Sequence, residues 1–473
     1  MKKTKIIATL GPASSSKEII RKMIENGVNV CRLNFSHGNH ENYLKVIKTI
    51  RELIEEMGVT IGILGDLQGP KLRIGEIKGG SVELIEGNEL LFTCKKIIGN
   101  SEKVYMTYQA FPKDVKKGEL ILIDDGRLML EVISTNGIDK VLAKVIYGGI
   151  LSSNKGVNLP HTKISLPCLT KKDLIDLEFA LDNDLDWIGL SFVRSAIDLI
   201  ELKSIISESG KHAQVIAKIE KPEAVEDIDL IINETDALMV ARGDLGVEIP
   251  MQEVPLLQKE LIDKCRNAAK PVIIATQMME SMITDFSPTR AEVNDVANAV
   301  LDGADALMLS AETSVGKHPV KVIESMAKII KEIENYQGIY HKTTPLQEST
   351  EDRYITDSVC FSSVKIAQRV EAKAIVTMTF SGYTALKLSS QRPNAAIYVF
   401  TRNRYELNIL SLVWGVECFF YDKVVGTDHT IKDIIYILKK HKKVKHGDFI
   451  VNTASMPVSK MGKTNMMKLT KID

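Results

Sequence analysis

Eight short apolar runs, separated by longer amphipathic stretches, are the feature that most restricts how this 473-residue chain can fold. Runs of this kind, rich in β-branched residues, are typical of strands buried on both faces, as parallel strands are. Strands that alternate with helices predict a parallel sheet, and eight such units favour a closed (β/α)8 barrel over an open sheet. The predicted strands are Lys5–Leu10, Asn29–Phe35, Thr60–Leu67, Asp186–Val193, Gln214–Glu220, Ala237–Leu245, Pro271–Met278 and Ala304–Glu312. The predicted helices include Ser16–Asn26, Asn39–Met57, Gln252–Ala269 and Glu292–Leu301.

The interval between the third and fourth runs is far longer than the others and indicates an inserted domain over residues 70–167. This segment consists of short strand-like runs with turn pairs between them, and Asp-Gly and Asn-Gly pairs are hairpin signals. We therefore predict a small antiparallel β-barrel domain that could act as a lid over the barrel mouth. The turn pairs are Gly87-Asn88, Asp125-Gly126, Asn136-Gly137 and Gly148-Gly149.

A third domain is predicted after a polar stretch, His341–Glu351, whose composition is that of a linker. A helical pattern at Asp352–Val370 and five strand-like runs follow, which predicts an α/β domain. The expected fold class is therefore α/β, with a barrel domain in two parts (1–69 and 168–342), the inserted lid domain (70–167) and a C-terminal domain (343–473). The five runs are Ala374–Thr379, Ala396–Phe400, Glu417–Tyr421, Phe449–Thr453 and Met466–Thr470.

Charge and cysteine usage exclude several classes of protein. Lys plus Arg and Asp plus Glu are both 61, which argues against a general nucleic-acid or anionic-membrane surface. We therefore expect neither nucleic-acid nor membrane partners, and no apolar run approaches the roughly 18 residues that cross a bilayer. The six cysteines are scattered without a C-x-x-C pair, which suits a reducing cytosol and predicts a cytoplasmic protein.

Polar residues stand at the carboxyl ends of six predicted strands, where reactive groups gather in barrels of this kind. At any single position, the simpler explanation is that polar residues begin where a strand ends. Charges embedded in apolar sequence at six matching ends favour a convergent site. The residues are Arg32, Asn34 and Ser36; Asp66, Lys71 and Arg73; Lys218 and Glu220; Arg242, Gly243 and Asp244; Thr276 and Gln277; and Ser310 and Glu312.

The residue types at these ends indicate phosphate chemistry. Glu220 and Asp244 are hard oxygen ligands suited to Mg²⁺, and Arg32, Arg73 and Lys218 supply the positive charge that a transferring phosphoryl group needs. A structural ion pair is the alternative for Lys218 and Glu220, and their i, i+2 spacing on one strand face favours the site instead. The chain has neither a P-loop nor a G-x-G-x-x-G fingerprint.

Several long motifs, in one order along the chain, resemble those of the pyruvate kinases. They are Ala8-Thr-Leu-Gly-Pro-Ala-Ser14, Cys31-Arg-Leu-Asn-Phe-Ser-His-Gly38, Lys155-Gly-Val-Asn-Leu-Pro160, Met239-Val-Ala-Arg-Gly-Asp-Leu-Gly-Val-Glu248, Ala275-Thr-Gln-Met278, Pro288-Thr-Arg-Ala-Glu-Val-Asn-Asp-Val-Ala297 and Gly303-Ala-Asp-Ala-Leu-Met-Leu-Ser-Ala-Glu-Thr313. The resemblance implies a barrel, a β lid after the third strand and a C-terminal α/β domain. It also implies Mg²⁺-dependent transfer of phosphate from phosphoenolpyruvate to ADP in glycolysis, with Mn²⁺ as a substitute metal, and a homotetramer.

The resemblance also implies roles for individual residues. Glu220 and Asp244 would hold Mg²⁺, and Lys218 would stabilise the phosphoryl group in flight. Arg32 would contact the substrate phosphate. The substrate carboxylate region would lie against Gly243, Asp244 and Thr276, and the protonated enolate carbon near Thr276 and Ser310. The nucleotide would be bound by Asn34, His37, Arg73 and Lys155.

One departure from the family pattern concerns monovalent cations. Many family members have Asp-Thr-Lys-Gly-Pro-Glu-Ile-Arg where this chain has Asp66-Leu-Gln-Gly-Pro-Lys-Leu-Arg73. The ammonium of Lys71 could take the role of the monovalent ion, which resembles the potassium-independent branch and predicts that K⁺ is not required. Asn34, Ser36, Asp66 and the Leu67 carbonyl could still form a monovalent-cation cage. A second departure, Lys221 where the family usually has Asn, has no assigned role.

The segment Thr379-Phe-Ser-Gly-Tyr-Thr384 joins a predicted strand to a helix. Its hydroxyls and glycine suit either a phosphate nest or an ordinary helix cap with a tight turn. Since the family binds effectors in this domain, Thr379, Ser381, Gly382 and Thr384 are candidates for an allosteric site for a sugar phosphate or AMP. The alternative functions are a catalytically silent effector-binding protein on this scaffold and a dikinase-like enzyme, which would need a phosphorylatable histidine domain that the chain lacks.

Overall fold

The computed structural model describes residues 2–160, 162–342, 353–423, 425–456 and 462–473. Its largest unit is a closed barrel of eight parallel strands, which confirms the predicted fold. The chain enters the barrel through β1 (Lys5–Thr9), α1 (Lys17–Glu25), β2 (Val30–Asn34), α2 (His40–Met57) and β3 (Gly62–Asp66).

A separate β-rich unit follows β3, where the insertion was predicted. Its strands form a six-stranded sheet in the order β11-β7-β8-β9-β5-β6 and a two-stranded sheet of β4 and β10. The elements are β4 (Ser81–Leu84), β5 (Glu89–Thr93), β6 (Lys103–Tyr105), α3 (Phe111–Asp114), β7 (Leu120–Ile123), β8 (Leu128–Thr135), β9 (Lys140–Tyr147), β10 (Gly149–Ser152) and β11 (Val157–Asn158).

Two of the predicted turn pairs close hairpins and two do not. Asp125-Gly126 joins antiparallel β7 and β8, and Asn136-Gly137 joins antiparallel β8 and β9. Gly87-Asn88 and Gly148-Gly149 connect strands whose partners lie elsewhere, because β4 pairs with β10 and β5 pairs with β9. The pair β5 and β6 is parallel, which departs from the antiparallel prediction for this unit.

The second part of the barrel carries its other five strands. The strand order around the barrel is β1-β16-β15-β14-β13-β12-β3-β2. The predicted strand Ala237–Leu245 ends earlier, at Ala241, because the next residues begin a short helix. The elements are α4 (Lys171–Asp182), β12 (Trp187–Leu190), α5 (Ala196–Glu208), β13 (Gln214–Ile219), α6 (Pro222–Glu226), α7 (Ile228–Glu234), β14 (Ala237–Ala241), α8 (Arg242–Glu248), α9 (Val254–Asn267), β15 (Val272–Ala275), α10 (Arg290–Asp302), β16 (Ala306–Leu309), α11 (Ala311–Ser314) and α12 (Pro319–Ile333). Single 3₁₀ turns lie at Met251–Glu253, Glu280–Ile283, Gln337–Ile339 and Leu410–Leu412.

The C-terminal unit is a five-stranded sheet with helices, in the order β19-β18-β17-β20-β21, and the predicted α/β character is confirmed. Its last strand runs antiparallel to β20. Most of the predicted linker His341–Glu351 lies outside the described residues, and the exact domain boundaries remain predictions. The elements are α13 (Tyr354–Arg369), β17 (Ala374–Met378), α14 (Tyr383–Ser390), β18 (Ala396–Thr401), α15 (Arg404–Ile409), β19 (Val416–Phe420), α16 (Thr427–Lys440), β20 (Phe449–Ala454) and β21 (Met466–Lys471).

The C-terminal unit packs against the amino-terminal end of the barrel strands. Asp305 immediately precedes β16, and its carboxylate forms a salt bridge of 2.9 Å with the guanidinium of Arg392. Both side chains are buried. Ile409 and Leu412 extend the apolar cluster formed by barrel residues such as Ile7. This contact leaves the carboxyl ends of the barrel strands free for the inserted unit. Among the described residues, no helix has the length and apolar character needed to cross a membrane.

Candidate active site

The structure brings four of the predicted charged residues together at the carboxyl ends of the barrel strands. Arg32 Nε donates to Asp66 Oδ2 at 2.7 Å, and Arg32 Nη2 lies 2.7 Å from the same oxygen in an ion pair. Lys218 Nζ lies 3.2 Å from Asp66 Oδ1 and 2.9 Å from Glu220 Oε1. The ion pair that was the alternative explanation for Lys218 and Glu220 therefore exists, and it forms part of a buried network rather than an isolated pair.

Ser191, which sequence reasoning missed, completes this network. Lys218 Nζ donates to Ser191 Oγ at 2.6 Å, and Ser191 Oγ donates to the Leu67 carbonyl at 2.7 Å. Its neighbour Phe192 donates its backbone N–H to Glu220 Oε2 at 2.7 Å. The sequence analysis placed Ser191 inside the predicted strand Asp186–Val193, whereas β12 ends at Leu190, so that Ser191 directly follows the strand.

The buried charges shift each other's protonation equilibria. Burial alone would lower the pKa of Lys218, but the carboxylates of Asp66 and Glu220 outweigh it and raise that pKa above its ordinary value. Burial opposes ionisation of Asp66, yet Lys218 and Arg32 hold its pKa below the ordinary value. Burial raises the pKa of Glu220 against the lowering effect of Lys218, and the nearby charge of Asp244 adds to the increase. Lys218 is consequently a cation over the whole neutral range.

Gly243 and Thr276 meet in the turns that follow β14 and β15. Gly243 N–H donates to Thr276 Oγ1 at 2.7 Å, and a Cβ on Gly243 would lie only 3.2 Å from that oxygen. Thr276 and Gln277 both have positive φ, 71° and 52°, a strained conformation for residues with a Cβ. Strain of this kind is characteristic of functional turns.

Arg242 holds the strained turn in place. Its guanidinium donates to the Thr276 carbonyl at 2.8 Å and makes a two-pronged pair with Asp295 at 2.7 and 2.8 Å. The sequence analysis placed Arg242 at the end of a strand but named no residue that would pair with it. Asp295 lies on α10, and no local pattern connects the two residues.

The eighth strand end is fixed by a carboxylate. Glu312 accepts the backbone N–H groups of Ser310 at 2.7 Å and Met279 at 3.3 Å. The same side chain therefore ties the turn after β16, which carries Ser310, to the turn after β15, which carries Thr276. The two residues predicted near the enolate carbon are thus held on neighbouring turns.

A cleft of about 280 Å³ separates the inserted unit from the barrel. Its lining includes Lys71, Arg73, Lys155 and Asp244, so predicted nucleotide and metal residues share one cavity. Lys155 Nζ is 2.7 Å from Asp124, and Arg73 Nη1 donates to the Asn154 carbonyl at 2.8 Å.

His37 lies near this cationic rim. Burial lowers its pKa, and the charges of Lys71, Arg73 and Arg32 lower it further. A cluster of cations whose mutual repulsion disfavours one more positive charge is suited to a polyanionic ligand.

The residues of the predicted monovalent-cation cage already have partners within the chain. Asn34 Oδ1 accepts the Ser36 N–H at 3.2 Å, and the Leu67 carbonyl accepts the Ser191 hydroxyl. The Asp66 carboxylate is held by Arg32 and Lys218. Lys71 is exposed beside the cleft. The potassium prediction remains a prediction.

The C-terminal unit contains a larger cavity, of about 540 Å³, lined by three of the predicted effector residues, Thr379, Ser381 and Thr384. Gly382 has φ 72° and precedes α14, whose first turn receives no side-chain cap. Sequence reasoning missed the cations around the cavity, because they come from four separate segments: Arg353, Arg402, Lys423 and Lys463.

The fold and the site together define a class of protein. A buried network of cations and carboxylates lies at the carboxyl ends of a (β/α)8 barrel, and a cleft between the barrel and a β domain is lined by further cations and by Asp244. This arrangement belongs to an enzyme that acts on an anionic, phosphate-bearing substrate.

Comparison with known proteins identifies the family within this class. Residues 1–323 match the family described as "Pyruvate kinase, barrel domain", and residues 357–470 match "Pyruvate kinase, alpha/beta domain". The chain belongs to the pyruvate kinase family, which confirms the predicted phosphotransferase class and the resemblance noted in the sequence.

Individual relatives agree over nearly the full chain. A pyruvate kinase of Geobacillus stearothermophilus is 43% identical across 99% of this chain and 80% of its own length. One from Corynebacterium glutamicum is 43% identical across 98% of this chain and 97% of its own. The crystal structure of a pyruvate kinase from Cryptosporidium parvum matches with a TM-score of 0.93 and 36% identity, covering 100% of this chain and 96% of that one.

Proposed function

We propose that the cleft between barrel and inserted unit transfers the phosphoryl group of phosphoenolpyruvate to ADP, giving pyruvate and ATP. The observation that carries this proposal is the buried Lys218, oriented by Asp66 and Glu220 beside Arg32. Preorganised cations in a water-poor site stabilise a phosphoryl group in flight without reorganisation at the moment of reaction. Lys218 would face the migrating group, and Arg32 the substrate phosphate.

Glu220 and Asp244 fit a divalent metal, and we propose that they hold Mg²⁺, or Mn²⁺ in its place. The two carboxylates are close enough for the charge of Asp244 to raise the pKa of Glu220, and a divalent cation relieves such repulsion. Mg²⁺ typically binds through one or two carboxylates and completes its shell with substrate oxygens and water. When bound, the metal would neutralise negative charge on the substrate oxygens.

Protonation of the enolate carbon is assigned to the turns after β15 and β16. Thr276 Oγ1 accepts the Gly243 N–H, so its own hydroxyl proton can point into the site. Ser310 stands on the neighbouring turn, held by Glu312. We propose that Thr276, with Ser310 beside it, passes a proton from a water molecule to the enolate carbon, so that the hydroxyl is regenerated as it donates, and that Gly243 and Asp244 border the substrate carboxylate.

The nucleotide is proposed to bind in the cleft, against Arg73 and Lys155 of its lining, with Asn34 and His37 as further contacts. Arg73 supplies a fork for phosphate oxygens and Lys155 a point charge. Lys71 would supply the charge of a monovalent cation, so K⁺ is not required.

The cavity of the C-terminal unit is proposed to bind the phosphate of an allosteric effector, a sugar phosphate or AMP. Thr379, Ser381, Gly382 and Thr384 would form the phosphate nest. The surrounding arginines and lysines support an anionic ligand.

We also propose that the protein is a cytoplasmic homotetramer. The free thiols of all six cysteines fit a reducing compartment. Exposed apolar side chains on the barrel, such as Met251, Leu256 and Phe286, support burial against further subunits.

The test is a coupled assay of pyruvate formation, with Lys218→Met as the decisive variant. The parent chain is expected to convert phosphoenolpyruvate and ADP, and the variant to lose at least about a hundredfold in kcat, the typical cost of removing a transition-state donor. Lys203→Met is the matched control, because Lys203 pairs with Asp236 before β14, at the opposite end of the barrel. An inactive parent chain that still binds effector would instead support the silent effector-binding scaffold.

A further inference from the structure

Lys221 and Glu248 form a buried ion pair beside the proposed metal ligands. Lys221 Nζ lies 2.7 Å from Glu248 Oε1, and the side chains are only 7% and 1% exposed. Asn158, from β11 of the inserted unit, donates to the same oxygen at 2.8 Å. Lys221 is the residue that departs from the family pattern and had no assigned role.

The positions of the two residues connect the chain segments that carry the metal ligands. Lys221 directly follows Glu220 at the end of β13. Glu248 stands four residues after Asp244 on α8, so these two side chains lie on the same helix face. The ion pair therefore bridges the turn that holds one carboxylate and the helix that holds the other.

The pair cannot be a loose surface contact. Among the described residues, Glu248 Oε2 is buried without any hydrogen-bond partner. The Glu248 charge therefore depends on the two donors at Oε1, Lys221 and Asn158. A buried carboxylate with so few partners is costly unless its countercharge stays in place.

Two metal-binding carboxylates keep a fixed separation only if the elements that carry them are fixed. Asp244 disfavours the charged form of Glu220, while Lys218 attracts both carboxylates. A bridge between the end of β13 and α8 fixes these elements relative to each other, as partners outside the coordination shell do when they orient metal ligands.

We propose that Lys221 and Glu248 are positioning residues that hold Glu220 and Asp244 at the separation a divalent cation requires. This inference rests on the proposed metal site. It predicts that the ion pair controls metal affinity in the absence of any substrate.

The experiment measures Mn²⁺ binding to the full chain, without substrates, by the electron paramagnetic resonance signal of free Mn²⁺. Glu248→Gln and Lys221→Gln are each expected to raise the Mn²⁺ dissociation constant about tenfold, the lower end of the range for lost ligand-orienting partners. Lys221→Arg, which keeps the charge, should stay within about threefold of the parent. Lys203→Met should bind as the parent does.

The double variant Lys221→Gln/Glu248→Gln addresses the risk that a single variant does not fold. It removes both charges and leaves neither uncompensated. If the two residues act as one bridge, its loss of affinity is clearly smaller than the product of the two single losses. Losses that multiply, or affinities of the folded single and double variants within twofold of the parent, overturn the proposal.

Glu220→Gln separates this inference from the metal site on which it rests. If Glu220→Gln binds Mn²⁺ as tightly as the parent, the metal site is wrong and the bridge has nothing to position. If Glu220→Gln weakens binding while the bridge variants do not, the metal site stands and the bridge proposal is wrong.

Discussion

Asp66→Asn is the substitution that most directly tests the charge network of the site. Asp66 is 1% exposed and accepts hydrogen bonds from Arg32 and an ion-pair contact from Lys218. The substitution keeps the shape of the side chain but removes its charge and turns one acceptor into a donor that faces cations. Breaking a buried pair by removing one partner typically costs about 3–5 kcal/mol, because the remaining charge is left uncompensated.

The expected results are a loss of stability and a loss of activity together. Urea unfolding followed by circular dichroism should show the barrel transition of Asp66→Asn destabilised by about 3 kcal/mol or more. kcat/KM for phosphoenolpyruvate should fall about a hundredfold, the effect of a displacement near 1 Å in a reacting site. The cause is that Lys218 and Arg32 lose the group that orients them.

Asp236→Asn is the control for this prediction. Its pair with Lys203 at 2.8 Å is partly exposed and precedes β14 at the other end of the barrel. We expect a loss of about 1 kcal/mol or less, as for other solvent-exposed pairs, and unchanged kinetics. The reasoning is refuted if Asp66→Asn unfolds at the same urea concentration as the parent and keeps kcat/KM within about threefold.

Three further predictions concern cation use, regulation and pH. The parent should be active in K⁺-free buffer with little stimulation by added K⁺, whereas Lys71→Glu should require K⁺ for activity. Full dependence of the parent on K⁺ contradicts the role given to Lys71. Ser381→Ala and Thr384→Ala should abolish activation by whichever effector a panel of sugar phosphates and AMP identifies, and an unchanged response excludes the phosphate nest. Burial raises the pKa of Glu406 from its ordinary value of 4.5 to about 7. Between these pH values the folded chain keeps a proton that the unfolded chain releases. The free energy of unfolding should therefore fall as the pH rises from 4.5 to 7. Since one pKa unit corresponds to about 1.4 kcal/mol, the fall attributable to this group is about 3 kcal/mol. Chemical denaturation of Glu406→Gln should show a free energy of unfolding without this fall. An identical pH profile in parent and variant contradicts the assignment.

The fold was predictable from the sequence because burial on both faces leaves a direct trace in it. Parallel barrel strands such as Val272–Ala275 are apolar throughout, so their number could be counted and the inserted unit recognised by its spacing. The convergence of Arg32, Asp66 and Lys218 followed from the same geometry, since all parallel strands end on one side of the barrel.

The partners of the site residues were not predictable, because they depend on contacts between distant segments. Arg242 and Asp295 are 53 residues apart, and Lys221 and Glu248 are 27 apart. A pairing of this kind depends on where a short helix ends and which way a side chain turns, and neither leaves a periodic pattern. Ser191 was missed for a different reason: a lone serine after a strand is common, and only the Lys218 ammonium distinguishes it.

The hydrogen bonds of Lys218 indicate how the site can exchange partners when substrate arrives. An ammonium has three N–H groups, and those of Lys218 meet Asp66, Glu220 and Ser191. If Lys218 contacts the phosphoryl group as proposed, a phosphoryl oxygen takes the place of one of these three partners. Ser191 is the neutral partner and keeps its own bond to the Leu67 carbonyl, whereas release of either carboxylate would leave a buried charge unpaired. Replacing Ser191 exchanges a neutral acceptor for a charged one, which strengthens the bond, and the two ion pairs that orient the ammonium remain in place.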